Sequence, residues 1–391
     1  MNSTARQRPY VAIACGGTGG HLFPGLAVAQ QLLERGGDVA LLISPKEVDQ
    51  QAVKSLLGME IFTLPAVGLQ DRNYFSFTNS FWHSFRAARK IFKRRRPAAV
   101  LAMGGFTSAP PIFAAKLAGA KTYLHESNTV PGRANRLLAR FVDEAFIGFP
   151  ETAVRLRAKK ITVTGTPVRP QFFQSAIRNR ESAIALGLDP GLPTILVVGG
   201  SQGARGLNDL VLAALPLLKN RDWQWLHLTG ANDFEKVKAA YVAHGFKSVV
   251  KPFLAEMDLA LSAATVAVSR AGASSLAEMA AMRLPSLLVP LPTAADNHQF
   301  FNALAWEKAG AAKMVEQKSS PEKVAALLAE LVGEEAARQK FQAALAPWHA
   351  PEAAGQIAEN ILSGLGEKYS AIATGGQKAV VTGEMKFKVV A

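Results

Sequence analysis

The amino-acid sequence predicts an α/β protein of two parallel-sheet domains, and three observations carry that prediction. Short apolar runs alternate with helical patterns along the chain, the order that builds a parallel sheet with covering helices. The same unit of strand, glycine turn and helix opens both halves: Tyr10–Ala14 runs into Cys15-Gly16-Gly17-Thr18-Gly19-Gly20-His21, and Thr194–Val198 into Gly199-Gly200-Ser201-Gln202-Gly203-Ala204-Arg205. At 391 residues the chain also exceeds what one hydrophobic core usually organises.

In the first turn, four of the five residues from Gly16 to Gly20 are glycine. They either make a tight strand-to-helix turn or bring backbone N–H groups and a helix dipole up to an anionic or hydroxylated ligand. A helix over Leu26–Arg35 stops at Gly36-Gly37, and Asp38–Ser44 is the next strand. A dinucleotide-binding unit needs a glycine where Leu22 stands, and a P-loop needs Gly-Lys-Ser/Thr after the glycines, so both are disfavoured.

Phe75–Arg96 sets Phe75, Phe77, Phe81, Trp82, Phe85, Ile91 and Phe92 among Arg86, Arg89, Lys90, Lys93, Arg94, Arg95 and Arg96. This is an amphipathic core helix with a basic outer face, or a helix whose Phe75, Phe77 and Trp82 stay exposed to an anionic bilayer, or both. The strand Ala98–Met103 leads to a second glycine turn, Gly104-Gly105-Phe106-Thr107-Ser108, and Pro110-Pro111 opens a helix. Lys121–His125 is a strand ending in His125-Glu126-Ser127-Asn128, with a helix from Gly132 to Phe141. Loops at the carboxyl ends of parallel strands line the ligand crevice, so Thr18, His21, Thr107, Glu126 and Asn128 should converge there.

Strands at Asp143–Gly148 and Ile161–Thr164 close the first half, and Gly165–Pro170 reads as the crossover. In the second half, strands at Gln224–Leu228, Ser248–Pro252, Thr265–Ser269 and Ser286–Pro290 alternate with helices. Ser269–Glu278 joins a strand to a helix, where Glu278 either belongs to a capped helix start or grips vicinal hydroxyls. Asp296-Asn297-His298-Gln299 offers amide and carboxylate groups suited to a sugar. Helices occupy about Pro321 to Leu365, and the tail from Gly366 reads as a flexible appendage.

Composition narrows the class. With 49% hydrophobic and 19% charged residues the chain is globular, and its single cysteine excludes an internal disulfide. No secretory-signal order and no spanning apolar run is evident, so the cytosol is the expected compartment. The formal charge of +14 calls for an anionic partner: nucleic acid, anionic lipid or a phosphorylated substrate.

Six stretches taken together, GGTGGHLFPGLAVA, MGGFTS, HESN, GTPVR, VVGGSQGAR and NALAWEKAGAAKMVEQ, resemble the MurG family in family order from residue 16 to residue 317. These are the peptidoglycan glycosyltransferases that add N-acetylglucosamine to lipid I. The resemblance implies the GT-B fold: two Rossmann-like domains with parallel sheets facing across a cleft, and a C-terminal helix returning to the first domain. It implies residues 1–168 as an acceptor and membrane-associating domain, 169–350 as the UDP-N-acetylglucosamine domain, 351–365 as the returning helix and 366–391 as a tail.

By the same resemblance, Thr18, Gly19 and Gly20 lie near the donor sugar and acceptor pyrophosphate, Asn128 contacts the sugar, and Gly17, Gly104, Gly105 and Thr107 are on the acceptor side. Arg169 and Ser201 contact the uridine diphosphate, the backbone of Leu254 pairs with uracil, and Gln299 holds the sugar. The stretch Ala273, Ser274, Ser275, Leu276, Ala277 and Glu278 is the ribose loop. His21 is implied as the general base, with Glu126 as the alternative; on the exposed-face reading of the Phe75–Arg96 stretch, Phe75, Phe77, Trp82, Arg86 and Lys93 are the membrane contact.

The sequence holds no Asp-x-Asp and no tight ligand cluster, so no metal and no cofactor are expected, UDP-N-acetylglucosamine being a substrate. Backbone amides at Ser201–Ala204 with Arg169 can neutralise the departing diphosphate instead. The expected reaction is inverting transfer to the 4-hydroxyl of undecaprenyl-linked lipid I at the cytoplasmic face of the inner membrane. Cell-wall and division-complex proteins are further expected partners, and nucleic acid is not. The alternatives are another GT-B glycolipid transferase, a nucleotide-sugar epimerase, or a basic nucleic-acid binder.

Overall fold

The computed structural model describes residues 8–54, 58–65, 74–174, 179–200, 202–219 and 221–366. Ser201, the side chain of Phe75 and the tail beyond Gly366 lie outside the described residues. The chain divides into two compact units, residues 1–167 with 352–391, and residues 168–351.

The first unit is a seven-stranded parallel sheet. Its strands are β1 (Tyr10–Ala14), β2 (Asp38–Ile43), β3 (Glu60–Thr63), β4 (Ala99–Ala102), β5 (Lys121–Glu126), β6 (Glu144–Ile147) and β7 (Ile161–Val163), in the order β3-β2-β1-β4-β5-β6-β7. The inner strands are buried on both faces, which is why they read as continuous apolar runs rather than alternating ones. One core layer packs the helices Tyr74–Arg94 and Ala109–Leu117 on one face. The other sets Leu22, Val28 and Leu32 of the helix Gly19–Glu34 with Ile357, Ile361 and Leu362 of the helix Ala353–Gly364.

The second unit is a six-stranded parallel sheet of β8 (Thr194–Val198), β9 (Gln224–Leu228), β10 (Lys247–Lys251), β11 (Val266–Ser269), β12 (Ser286–Leu288) and β13 (Lys313–Met314), ordered β10-β9-β8-β11-β12-β13. In both sheets the strand order reverses beside the first strand, at β1/β4 and at β8/β11, the place where parallel α/β folds bind ligands.

Two edge strands, β3 and β13, have no counterpart in the sequence reading. Both are short and half-exposed, so no apolar run marks them. The helix expected over Leu26–Arg35 begins instead at Gly19, with Thr18 as N-cap, and the turn shrinks to Gly16–Thr18. Gly19 and Gly20 occupy the first two positions of that helix. Gly25, deeper in that helix, lets it lie on β1, because a Cβ there would sit 2.7 Å from the Cβ of Cys15.

Gly16 is fixed by space. A Cβ on it would lie 2.3 Å from the amide nitrogen of Ser44, at the end of β2. Gly16→Ala therefore lowers unfolding free energy by roughly 3 kcal/mol or more, since backbone must move. At Gly36, φ is +77° and nothing lies within 4 Å of the added atom, so Gly36→Ala costs about 1–2 kcal/mol. Urea unfolding of the two variants checks the difference; equal losses would contradict it.

Candidate functional site

At the carboxyl edge of the first sheet, two glycine turns are bolted together across β1 and β4. Thr107 Oγ1 donates to the Gly16 carbonyl at 2.8 Å, and Ser108 Oγ donates to the carbonyls of Gly104 at 2.6 Å and Ala14 at 3.1 Å. From the other side, the buried carboxylate of Asp49 accepts the Gly17 N–H at 2.7 Å, the Ser44 N–H at 3.1 Å and the Ser44 hydroxyl at 2.6 Å. Lys46 Nζ donates to the Gly17 carbonyl at 2.8 Å.

His21 stands on the first turn of its helix, with Nδ1 3.2 Å from Thr18 Oγ1. Its ring lies over Gly104 and Gly105, whose φ values are +116° and +76°. A Cβ on Gly104 would be 3.0 Å from His21 Nε2, and one on Gly105 would be 3.2 Å from Cε1. Glycine at both places makes the seat for the imidazole. The same Gly104 position lies 3.2 Å from Asn135 Nδ2, which donates to Glu126 Oε2 at 2.8 Å. Gly17, Thr18, His21, Gly104, Gly105, Thr107 and Glu126 thus occupy one connected edge.

Glu126 departs from the role of alternative base. Its Oε1 accepts from Asn128 N and Nδ2 at 2.9 and 3.0 Å, and its Oε2 from Gly132 N and Asn135 Nδ2 at 2.9 and 2.8 Å. A buried carboxylate accepting four N–H bonds organises a loop and has little lone-pair capacity left for a substrate proton. Asn128 is drawn onto that carboxylate. Beside them His125 is fully buried, donates from Nε2 to the Gly165 carbonyl at 3.1 Å and accepts from Ser127 at Nδ1. Burial pulls its pKa down to about 4, so the ring is neutral.

The second sheet carries the twin turn at the end of β8. Gly203 has φ +75°, and a Cβ on it would stand 2.0 Å from the Thr229 carbonyl oxygen. The helix Arg205–Ala214 follows directly and points its free N–H groups at this edge. The ribose stretch implied as a loop is helical: Ala273–Glu278 lie within the helix Ala273–Ala281, with Gly272 as N-cap. Leu276 is 1% exposed, so its side chain belongs to the core. Leu254 is likewise buried, while Gln299 accepts the Leu291 N–H at 3.0 Å.

Glu278 Oε1 lies 3.7 Å from Arg169 Nη2, with side-chain exposures of 15% and 18%. Burial raises the Glu278 carboxyl to about 7, Arg169 opposing that rise and Asp258 adding to it. One residue on this edge escaped the sequence reading. Arg270, 6% exposed, donates to the carbonyls of Val289 and Pro290 at 3.0 and 3.2 Å and to Gln317 Oε1 at 2.6 Å. Among the described residues no group of three or more His, Cys, Asp and Glu could hold a metal ion.

Apart from these edges, the helix Tyr74–Arg94 separates its two faces. Phe85 and Phe92 are core residues, whereas Trp82 is 50% exposed, stacked on Phe85 at 5.2 Å with Arg86 over its ring. Phe77 is half-buried, edge-on to Phe106 at 5.5 Å and next to Phe81 at 6.4 Å; Phe81, Phe113 and Phe141 continue the row. Arg86, Arg89, Lys90, Lys93 and Arg94 line a groove beside it. Among the described residues no helix is long and apolar enough to cross a membrane.

Residues 11–147 match the glycosyltransferase family 28 N-terminal domain, and residues 194–359 the C-terminal domain of the same family. Two parallel α/β units with glycine turns at their switch points, so matched, define a glycosyltransferase of the GT-B class. A curated relative from Syntrophus aciditrophicus (strain SB) is 38% identical over 314 residues, covering 79% of this chain and 85% of the relative. One from Prochlorococcus marinus (strain MIT 9211) is 40% identical over 309 residues, covering 78% and 82%. Both are named UDP-N-acetylglucosamine–N-acetylmuramyl-(pentapeptide) pyrophosphoryl-undecaprenol N-acetylglucosamine transferase. The crystal structure of Acinetobacter baumannii MurG is similar with a TM-score of 0.71 and 28% identity, over 91% of this chain and 99% of that one. The chain belongs to the MurG family.

The raised Glu278 carboxyl has a measurable consequence. Its folded-state value of about 7 exceeds the ordinary 4.5, so the stability it contributes is present below pH 4.5 and is lost as pH rises through 7. Glu278→Gln removes that decline, up to about 3 kcal/mol, from the second unit's unfolding. Urea denaturation between pH 4.5 and 8 reads it; parallel profiles for the two proteins would contradict the shift.

Proposed function

We propose that the chain transfers N-acetylglucosamine from UDP-N-acetylglucosamine to the 4-hydroxyl of N-acetylmuramyl-(pentapeptide) pyrophosphoryl-undecaprenol, with inversion at the anomeric carbon. Kinship to transferases of that name supports the substrates. The observation that carries the chemistry is the seat of His21, held by Thr18 and lying over two glycines.

In this reading His21 is the base. When Nδ1–H donates to Thr18 Oγ1, Nε2 is the unprotonated nitrogen and the one that takes the acceptor proton. The acceptor oxygen bonds to the anomeric carbon, the bond from that carbon to the diphosphate oxygen breaks, and the electron pair leaves with uridine diphosphate. N–H groups at the start of the helix Arg205–Ala214, with Arg169, neutralise the developing charge, so the step draws on no metal and no cofactor. Glu278 takes the ribose hydroxyls, Leu254 supplies backbone groups to uracil, and Gln299 with Asn128 orients the sugar. Gly17, Gly104, Gly105 and Thr107 receive the acceptor pyrophosphate. Glu126 shapes the loop that carries Asn128.

The protein works as a peripheral enzyme at the cytoplasmic face of the inner membrane, with Trp82 and the flanking cations against anionic headgroups. Each such cation adds about 1 kcal/mol. The exposed Trp82 beside that basic groove supports this over nucleic-acid binding as the use of the +14 charge.

Incubation with UDP-N-acetylglucosamine and a short-chain lipid I analogue gives a β-linked disaccharide, read by mass and by the anomeric proton coupling. No product, or an α linkage, would contradict the proposal. His21→Ala lowers turnover by roughly a hundredfold or more and leaves the dissociation constant for UDP within about twofold; unchanged turnover removes His21 as base. Trp82→Ser combined with Arg86→Ser and Lys93→Ser releases the protein from anionic vesicles, and persistent binding would place the contact elsewhere.

A further inference from the structure

Behind the second unit's glycine turn lies a buried chain of hydrogen bonds that neither the motifs nor the reaction uses. His227 on β9 is fully buried, with Nδ1 3.0 Å from the Tyr241 hydroxyl and Nε2 3.1 Å from Asn208 Oδ1. Asn208, on the helix Arg205–Ala214, donates from Nδ2 to the Thr229 carbonyl at 3.0 Å and to Asp233 Oδ2 at 2.8 Å.

Chemistry fixes the direction of every bond. The Thr229 carbonyl and the Asp233 carboxylate only accept, so the Asn208 nitrogen faces them and its oxygen faces His227. That oxygen only accepts, so His227 carries its proton on Nε2. Burial pulls the His227 pKa down to about 3, leaving a neutral ring whose bare Nδ1 accepts from Tyr241. The chain runs one way: Tyr241 to His227, His227 to Asn208, and Asn208 to Thr229 and Asp233.

Its end point matters. The Thr229 carbonyl oxygen is the atom that stands 2.0 Å from where a Cβ on Gly203 would be. Gly230, with φ +77°, closes on the same turn, since a Cβ there would lie 2.3 Å from the Gln202 carbonyl oxygen. The carbonyl that limits the glycine turn is therefore the one that Asn208 holds, and the buried Oδ1 of that same amide has the His227 Nε2–H as its donor.

We infer that His227 is a positioning residue for the diphosphate turn, setting Gly203 and the start of the helix Arg205–Ala214 through Asn208 and Thr229. The inference rests on the donor reading of that turn and adds a residue that touches no substrate. Removing the Nε2–H donor leaves the buried Asn208 Oδ1 unpaired, so the amide that holds the Thr229 carbonyl shifts toward another partner and loosens the N–H groups that would receive phosphate oxygens.

The test titrates UDP into the full-length protein and its variants and follows amide exchange without ligand. His227→Phe raises the UDP dissociation constant and the donor KM by about tenfold or more, with kcat changed far less. The Gly203 and Leu207 amides exchange faster in that variant. His227→Gln, whose amide N–H can still donate to Asn208, restores most of the affinity, and Tyr241→Phe gives an intermediate loss. Leu345→Ala, at a fully buried position in the helix Glu335–Leu345, is the stability control and leaves UDP affinity near wild type.

The inference is overturned if His227→Phe or, should that variant not fold, Tyr241→Phe binds UDP as wild type does. It is equally overturned if Leu345→Ala weakens binding as much. A wild-type chain that does not bind UDP would sink the donor reading instead, and amide exchange would still decide whether His227 holds the turn.

Discussion

The structure depends on one constraint: at the carboxyl ends of its strands, backbone meets backbone with no room for a side chain. Gly16 lies against the end of β2, and Gly203 and Gly230 lie against each other's loops. A Cβ on Gly148 would likewise lie 2.9 Å from the Ser127 carbonyl oxygen. This close approach keeps the turns short, and short turns start the following helices at the sheet edge. Free N–H groups then stand where an anionic ligand can reach them.

Turns that tight need holding from behind, and the chain uses buried polar groups with fully directed bonds. Asp49 and Glu126 do this in the first unit by accepting several N–H or O–H groups each. Arg270 does it in the second by donating to two carbonyls and Gln317. Each unit adds a neutral buried histidine, His125 or His227, whose two nitrogens join a strand end to a neighbouring loop or helix. Glu278 differs from these: burial raises its carboxyl to about 7, with Arg169 opposing the rise from 3.7 Å away.

Much of this was legible in the sequence because parallel strands buried on both faces write themselves as apolar runs; β1, β8 and β9 fall on the residues that such runs mark. Edge strands β3 and β13 carry no such signal. The start of the first helix was hidden because Gly19 and Gly20 look like turn residues, yet at a helix start their cost is small. Asp49 could not be found from sequence, since it reaches Gly17 from 32 positions away. Arg270 was hidden for a related reason: its partners are carbonyls, which any sequence supplies. The amphipathic stretch left its outer face open, and only packing separates Phe85 and Phe92 inside from Trp82 outside.

The division of labour is the centre of the reading: the nucleotide belongs to the turn of the second unit, the acceptor and the base to the turn of the first. The most direct measurement is UDP affinity and transfer rate in Gly203→Ala beside Gly17→Ala. An added methyl at Gly203 collides with the Thr229 carbonyl, whereas at Gly17, where φ is +116°, the nearest atom is Thr107 Oγ1 at 3.6 Å. Gly203→Ala should lose UDP binding, and Gly17→Ala should bind UDP as wild type does while losing transfer. UDP affinity that survives Gly203→Ala and falls with Gly17→Ala would contradict that division.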